Sequence, residues 1–342
     1  MPISIQVGEF VREYRVVLPA GWQHLAPLPI VLVFHDEGSN IALLEHAAGF
    51  QSIMTGPGTA DDDKFILVLV YLEGIGGPIL NFPATQEVLS WNSGHRGFGA
   101  RLAQTDDVAF VDAVLASIVA RLDANLLAED PDNAVAAVNL GQVFLVGHGN
   151  GGMLCYRLAH ALPWMGSNFT VAAFAVVGAS IGGKFHFEDP DIFDNSPHGG
   201  PQRTPDASVL VIHGDQDQNV RPPDLLEDGR LSLLWAGLLN INGVAFDRIV
   251  PLTPWDYSPT FSANQWVAHL GALPSEVDDG QQINGHPVRI ETWLEPLQNH
   301  VVALLTQADL AAEWPGPDVW GEAVAARMIW DFFKDPTQDL VP

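Results

Sequence analysis

A glycine-rich turn is the first segment of the chain whose residue pattern suggests chemistry. Residues 147–152 read Gly-His-Gly-Asn-Gly-Gly, and they lie between the apolar run 142–147 and the helix-like segment 153–159. A strand–turn–helix junction of the form G-x-S-x-G holds a nucleophilic serine at the end of a buried strand. In this chain the central position is Gly149, which has no hydroxyl group.

The same glycines allow other interpretations. Gly147, Gly149 and Gly152 match the G-x-G-x-x-G pattern that binds the pyrophosphate of a dinucleotide when it follows an early strand. Here several predicted strands precede the turn, and residues 165–180 contain no acid that could hold a ribose. A turn that binds nothing, or one that holds a phosphate, stays open. The pattern therefore disfavours a nicotinamide oxidoreductase, and we expect no cofactor.

Two further positions have the chain order of a catalytic acid and base. Asp217 follows the apolar run 208–212, and His300 follows the alternating run 287–294. In hydrolases with a nucleophile elbow, an acid and then a histidine follow the nucleophile along the chain. We therefore predict that Asp217, with Asp215 as the alternative, orients His300 as the general base.

The elements that must position these residues alternate between apolar runs and helix-like segments. The runs lie at 30–34, 65–71, 142–147, 171–177 and 208–212. Continuous apolar runs are typical of strands buried on both faces of a parallel sheet. We predict an α/β fold with a mostly parallel central sheet and helices on both faces. A single domain, residues 1–342, would carry insertions at about 182–206 and 251–287, where long connections usually form functional rims.

Composition excludes several classes of partner. Fifteen Lys and Arg stand against 41 Asp and Glu, so the formal net charge is −26, which disfavours nucleic acid and anionic membranes. Cys155 is the only cysteine, which excludes an intrachain disulfide and a thiol-ligated zinc site, and we predict no metal. The start of the chain shows no signal-peptide or membrane-span pattern, so we expect a cytoplasmic protein or a secreted one without its signal. Nothing indicates an oligomeric state.

Four motifs resemble those of the polyhydroxybutyrate depolymerase and feruloyl esterase group of α/β hydrolases, over about residues 10–334. The elbow reads GHGNGGM where the family typically reads G-H-S-N-G-G-M. The family's W-N-x-G and D-D-V-x-F correspond to residues 91–94 and 106–110, and its I-H-G-x-x-D corresponds to residues 212–217. The resemblance implies the α/β-hydrolase fold and a carboxylic ester hydrolase that acts on phenolic, acyl or polyester substrates.

The resemblance also implies roles for individual residues. With serine at position 149, the hydroxyl would attack an ester carbonyl, and the backbone N–H groups of Glu37 and Asn150 would bind the developing oxyanion. Trp91 would either line the cleft or pack in the core, and His148 of the elbow would be a second substrate contact. Trp255 belongs to an aromatic group in the 251–287 insertion that either contacts substrate or packs the insertion onto the body.

Three departures from the family pattern change the expected activity. Asp36 replaces a glycine of the family's L-H-G-x-G loop, and carboxylates there would oppose an oxyanion if they pointed inward. The family's G-H-T-W-P-G is split, because Trp314 follows His300 by fourteen residues, and the family cysteines are absent. Without a hydroxyl at Gly149 we expect little or no activity.

Two explanations for the missing serine stay open. One is an esterase inactivated by a deliberate Ser→Gly change, which we favour at this stage because the acid, the histidine and the rest of the elbow are present. The other is a natural pseudoenzyme that binds a ligand or polymer on a hydrolase fold. The first explanation predicts that Gly149→Ser confers ester hydrolysis.

Overall fold

The computed structural model describes residues 2–55, 65–77, 88–93, 100, 103–129, 136–162, 167–180, 207–217, 259–311, 313–316, 319–321 and 323–340. The strands are Ile3–Val7 (β1), Phe10–Val17 (β2), Leu28–Phe34 (β3), Val68–Leu72 (β4), Ile75–Gly77 (β5), Val88–Ser90 (β6), Val138–His148 (β7), Val171–Val177 (β8), Ser208–Gly214 (β9), Leu273–Ile283 (β10), His286–Glu295 (β11) and His300–Gln307 (β12). The helices are Ile41–Ala48 (α1), Phe50–Thr55 (α2), Asp107–Glu129 (α3), Asn150–Ala161 (α4), Pro259–Leu270 (α5) and Val324–Lys334 (α6).

One ten-stranded sheet runs through the molecule in the order β1-β2-β4-β3-β7-β8-β9-β12-β11-β10. The six strands from β4 to β12 are parallel, and the two strands added at each edge are antiparallel. Because the carboxyl ends of parallel strands lie at one edge of the sheet, residues that follow β3, β7 and β9 meet there.

Alternate residues of each central strand enter two separate cores. In β3, Ile30 and Leu32 pack with α3, α4 and α5, whereas Val31 and Val33 pack with α1, α2 and α6. This arrangement explains the continuous apolar runs, since a strand covered on both faces has no solvent-facing side. The predicted parallel sheet with helices on both faces is confirmed.

The structure differs from two expectations about the organisation of the chain. The predicted last strand, 287–294, is β11, but β12 follows it and begins at His300. Of the predicted insertion 251–287, the described part forms α5, β10 and the start of β11, so it extends the sheet. The insertion predicted at 182–206 lies outside the described residues. None of the described helices is both long and apolar enough to cross a bilayer.

Candidate active site

The turn between β7 and α4 has the geometry of a nucleophile elbow. Gly149 has φ 49° and ψ −118°, and its N–H donates to the carbonyl of Val177 at 2.9 Å. A positive φ strains any residue with a side chain, so glycine relieves strain that a serine would impose. Gly151 lies so close to the backbone of Phe34 and His35 that it has no room for a side chain. The first turn of α4 therefore packs directly against the end of β3.

The Asp36 side chain, on the loop that follows β3, points into this elbow. Its Oδ1 accepts hydrogen bonds from the backbone N–H groups of Glu37 and Asn150, both at 2.7 Å. These are the two N–H groups that the family resemblance assigns to the oxyanion. The carboxylate therefore occupies the place that the resemblance predicts for the oxyanion.

The same carboxylate overlaps the space that a side chain at Gly149 would need. A Cβ added to Gly149 would lie well inside van der Waals contact with both oxygens and with Cγ of Asp36. No heavy atom can approach a carboxylate this closely without displacing it. Gly149 and Asp36 are thus sterically linked, and the present side chain of Asp36 fits only because position 149 has none.

Buried hydrogen bonds hold the loop that carries Asp36. His35 Nδ1 lies 2.7 Å from the carbonyl of Asp36, and His35 Nε2 accepts the N–H of Gly74 at 2.8 Å. Burial lowers the pKa of His35, which keeps the ring neutral with its proton on Nδ1. Trp91 Nε1 donates to the carbonyl of His35 at 2.8 Å. These contacts fix the loop backbone independently of the Asp36 carboxylate.

Asn150 is anchored in the same way. Its Oδ1 accepts the N–H of Trp91 at 2.6 Å, and its Nδ2 donates to the carbonyl of Trp91 and to Ser93 Oγ, both at 3.2 Å. The side chain of the asparagine in the GHGNG turn therefore orients its own backbone N–H toward Asp36. The family motif points only to the backbone N–H of Asn150, and the hydrogen bonds between its side chain and Trp91 could not be read from the sequence.

Trp91 is a supporting residue and not a cleft residue. It is completely buried, and its ring packs edge-on against Phe34 with centroids 5.4 Å apart. The expectation that Trp91 lines a cleft is therefore corrected: its hydrogen bonds join the loop that carries Asp36 to the start of α4. Trp255, the other predicted aromatic contact, lies outside the described residues.

A buried ion pair stabilises the segment that carries Trp91 and Asn92. Arg12 Nη1 lies 2.7 Å from Asp107 Oδ1, and both side chains are almost fully buried. Asp107 Oδ2 accepts the N–H of Asn92 at 2.6 Å and Thr105 Oγ1 at 3.2 Å. The W-N and D-D-V motifs are thus joined by a direct contact, which gives a physical reason for their presence together.

The Glu37 carboxyl group, on the same loop as Asp36, has a raised pKa. Burial, together with the nearby charge of Asp36, raises its pKa from 4.5 to about 7. Its Oε1 is buried and has no hydrogen-bond partner among the residues that the structure describes. Glu37 therefore retains its proton to a higher pH in the folded protein than in the unfolded chain.

This difference predicts how stability depends on pH. Between pH 4.5 and about 7 the folded state holds a proton at Glu37 that the unfolded state has lost, so Glu37's contribution to stability falls as pH rises through this range. Glu37→Gln should remove that part of the decline. Denaturant unfolding across this pH range, compared with the parent and with Glu276→Gln on the exposed face of β10, measures it. An identical slope in parent and Glu37→Gln would contradict the assignment.

Of the two acids after β9, Asp217 is the one that points inward. Asp217 is buried, with Oδ2 3.7 Å from Nε2 of the buried His213. Asp215 instead accepts the N–H of Asp309 at 2.8 Å and stabilises the turn after β12. The position of Asp217 agrees with the predicted acid, and its role in orienting a histidine stays a prediction.

His300 is at the wrong edge of the sheet to act as the base. It is the first residue of β12, which runs parallel to β9 with Gln307 opposite Gly214. At about 3.3 Å per residue, His300 lies roughly 23 Å from the end of β12 that faces the elbow. Its ring nitrogen contacts Gln298 instead. The prediction of His300 as general base is therefore corrected.

Trp314 identifies the loop where the base would be expected. Its ring lies edge-on to His148 of the elbow, with centroids 6.2 Å apart, so the WPG segment is at the elbow edge. In the family's G-H-T-W-P-G the histidine precedes the tryptophan by two residues, and that position in this chain is Ala312, which lies outside the described residues. The Trp-Pro-Gly segment at 314–316 is the sequence signal that points to this loop.

His148 lies between the elbow and the Asp217 region. His148 Nε2 and Asp217 Oδ2 both lie within 4 Å of the point that a Cβ on Gly178 would occupy. His148 Nε2 and Trp314 Nε1 are buried, and neither has a hydrogen-bond partner within the described part of the chain. The predicted substrate contact of His148 stays a prediction.

Two other expected features concern metals and the thiol. Within the described ranges, no group of three or more His, Cys, Asp or Glu could hold a metal ion. Cys155 is fully buried in α4, and burial raises the pKa of its thiol well above the usual value. A buried neutral thiol cannot replace the missing hydroxyl.

The sheet order and the elbow together define an α/β-hydrolase fold. No family model and no curated protein matches the chain. Similar solved structures include esterase PE8 (16% identity, 68% of this chain and 86% of that chain, TM-score 0.34) and Arabidopsis thaliana SOBER1 (16%, 64% and 85%, 0.33). Another is a serine-to-alanine mutant of the feruloyl esterase module from Clostridium thermocellum, complexed with sinapinate (12%, 94% and 85%, 0.39). These distant likenesses add no detail about the site.

Proposed function

We propose that this chain is a non-hydrolytic relative of the carboxylic ester hydrolases, which binds a small or polymeric neutral ester without cleaving it. The observation that carries the proposal is the Asp36 carboxylate, which accepts both oxyanion-hole N–H groups and overlaps the nucleophile's space. An ester carbonyl that gained negative charge there would meet a carboxylate where it needs hydrogen-bond donors.

Three changes at separate positions support loss of hydrolysis over a single deliberate substitution. Position 149 has no hydroxyl, the loop after β3 carries Asp36 in place of a glycine, and the base position before Trp-Pro-Gly is Ala312. One engineered Ser→Gly change would leave the other two positions as the family has them. This reverses the preference that the sequence alone suggested.

The single-substitution esterase remains the second candidate, since Gly149 keeps the elbow backbone and Asp217 keeps a buried position after β9. Its test is the turnover of Gly149→Ser alone. Restored hydrolysis would support this candidate against a non-hydrolytic protein.

The deciding experiment measures both turnover and binding. We expect no hydrolysis of p-nitrophenyl acetate, methyl ferulate or a 3-hydroxybutyrate ester by the parent protein or by Gly149→Ser, and saturable binding of at least one of these esters by calorimetry. Gly8→Ser is the matched control, because Gly8 also has a positive φ but is exposed and has no atom near its Cβ position. Turnover by either protein, or no binding of any ester, would contradict the proposal.

A further inference from the structure

We propose that the paired N–H groups of Glu37 and Asn150 form a carboxylate-binding site that the protein keeps filled with its own Asp36. A free monocarboxylate takes the same place once the Asp36 side chain is removed. The inference rests on the proposed function, because it requires that this hole is not used for ester hydrolysis.

The hydrogen bonds show that the site fits a carboxylate. Both N–H groups donate to a single oxygen of Asp36 at 2.7 Å, which is the short distance typical of charge-assisted hydrogen bonds. Asp36 itself is half-buried, so the group lies near the solvent-facing side of the elbow. Removing this side chain leaves a space with the size and the donors for one carboxylate group.

The two donors do not need Asp36 to hold their direction. On one side, His35 Nε2 accepts a hydrogen bond from the N–H of Gly74, and the His35 carbonyl accepts one from Trp91 Nε1. These two hydrogen bonds fix the backbone of the loop. On the other side, the Asn150 side chain is bonded to both backbone polar groups of Trp91. A variant that lacks the Asp36 carboxylate therefore keeps two oriented N–H groups without an acceptor, and unmet buried donors favour a ligand that supplies one.

In the parent protein, Asp36 competes with any external carboxylate. Because the side chain is attached beside the donors, its effective concentration is high and the free state of the site is rare. An external ligand can bind only in that rare state, which weakens its apparent affinity by the same fraction. We expect the acetate dissociation constant to be at least about tenfold lower in Asp36→Gly than in the parent.

The test is a titration of Asp36→Gly with sodium acetate, with sodium chloride at equal ionic strength as reference. It is done well below pH 7, because burial, the larger cause of the raised pKa of Glu37, remains in the variant while the charge of Asp36 does not. The readouts are the midpoint of thermal unfolding and the amide chemical shifts of Glu37 and Asn150. Asp36→Ala is measured in parallel in case the glycine variant folds poorly. Asp278→Gly on β10 is the control, because Asp278 also accepts a backbone N–H but lies at the sheet edge.

Saturable stabilisation by acetate in the Asp36 variants, with shifts at both amides and none in Asp278→Gly, is the expected result. No shift in a folded Asp36 variant would overturn the proposal, as would equal stabilisation of Asp278→Gly. None of these readouts depends on ester turnover. The carboxylate site can therefore fail while the proposed function stands, and a failure of the proposed function shows separately in the ester turnover and binding assays.

Discussion

Gly149→Ser is expected to lower the free energy of unfolding by about 2–4 kcal/mol. The new Cβ would displace the Asp36 carboxylate from its two N–H donors, and hydrogen bonds to a charged group are worth about 1.5–3 kcal/mol. The positive φ of Gly149 adds a backbone cost for any residue with a side chain. Denaturant unfolding of the parent and the variant measures the sum of the two effects.

A double-mutant cycle separates these two causes. In an Asp36→Gly background the overlap is gone, so adding Gly149→Ser should cost only the backbone strain, about 1–2 kcal/mol. The double variant should then be more stable than the sum of the single variants predicts, by about 1–3 kcal/mol. Gly8→Ser places a side chain at a positive φ in open space, so it gives the cost of such a substitution without the overlap. Additive effects of Asp36→Gly and Gly149→Ser would show that the two side chains do not compete for space.

Asp107→Ala is expected to have an effect of similar or greater size, about 3–5 kcal/mol in the free energy of unfolding. The substitution leaves Arg12 buried without its carboxylate partner and the N–H of Asn92 without its acceptor. Breaking one side of a buried ion pair is costly, because the remaining charge has lost its solvation and gained nothing. Chemical denaturation of the purified variant measures the loss.

A surface ion pair provides the contrast. Asp331 lies 2.7 Å from Lys334 on α6, a distance similar to that of the buried pair, but both side chains are largely exposed. Asp331→Ala should change stability by less than about 1 kcal/mol. Adding Arg12→Met to Asp107→Ala should recover part of the loss, because it removes the unpaired charge. Equal effects of Asp107→Ala and Asp331→Ala would contradict the importance given to burial.

The sheet was predictable because its strands are buried on both faces. The runs 171–177 and 208–212 correspond closely to β8 and β9. A short continuous apolar run is typical of a strand that is covered on both faces of a parallel sheet. The position of Asp217 followed from the same logic, as the residue after a buried strand. The local sequence therefore predicts the central strands of the sheet and the position of one candidate site residue, Asp217.

The error at His300 has a structural origin. β11 and β12 form an antiparallel pair joined by a short turn, and the alternating pattern of β11 resembles that of a final strand. His300 follows this turn and is the first residue of β12. The sequence pattern alone does not show whether β12 begins at the edge of the sheet that carries the elbow or at the opposite edge. The parallel pairing of β12 with β9 resolves it, because it places His300 near the start of β9 and Gln307 opposite Gly214 at its end.

The direction of the Asp36 side chain could not be read from the sequence either. The substitution of a glycine by Asp36 was visible, and an inward carboxylate was recognised as unfavourable for an oxyanion. Whether it points inward depends on the N–H groups of Glu37 and Asn150, which meet only when β3 and α4 pack together. Similarly, the family resemblance placed Trp91 in a cleft, and its hydrogen bonds to His35 and Asn150 could not be read from the sequence because they connect residues far apart in the chain.

The carboxylate of Asp36 gives the resting protein a charge distribution that a serine hydrolase reaches only for an instant. In such an enzyme, negative charge reaches these N–H groups with the tetrahedral intermediate and leaves when that intermediate collapses. Here the charge is covalently attached and permanent, so the dipoles are already satisfied before any ligand arrives. Preorganised donors that would lower an activation barrier in such an enzyme contribute here, through their bonds to Asp36, to the stability of the folded ground state.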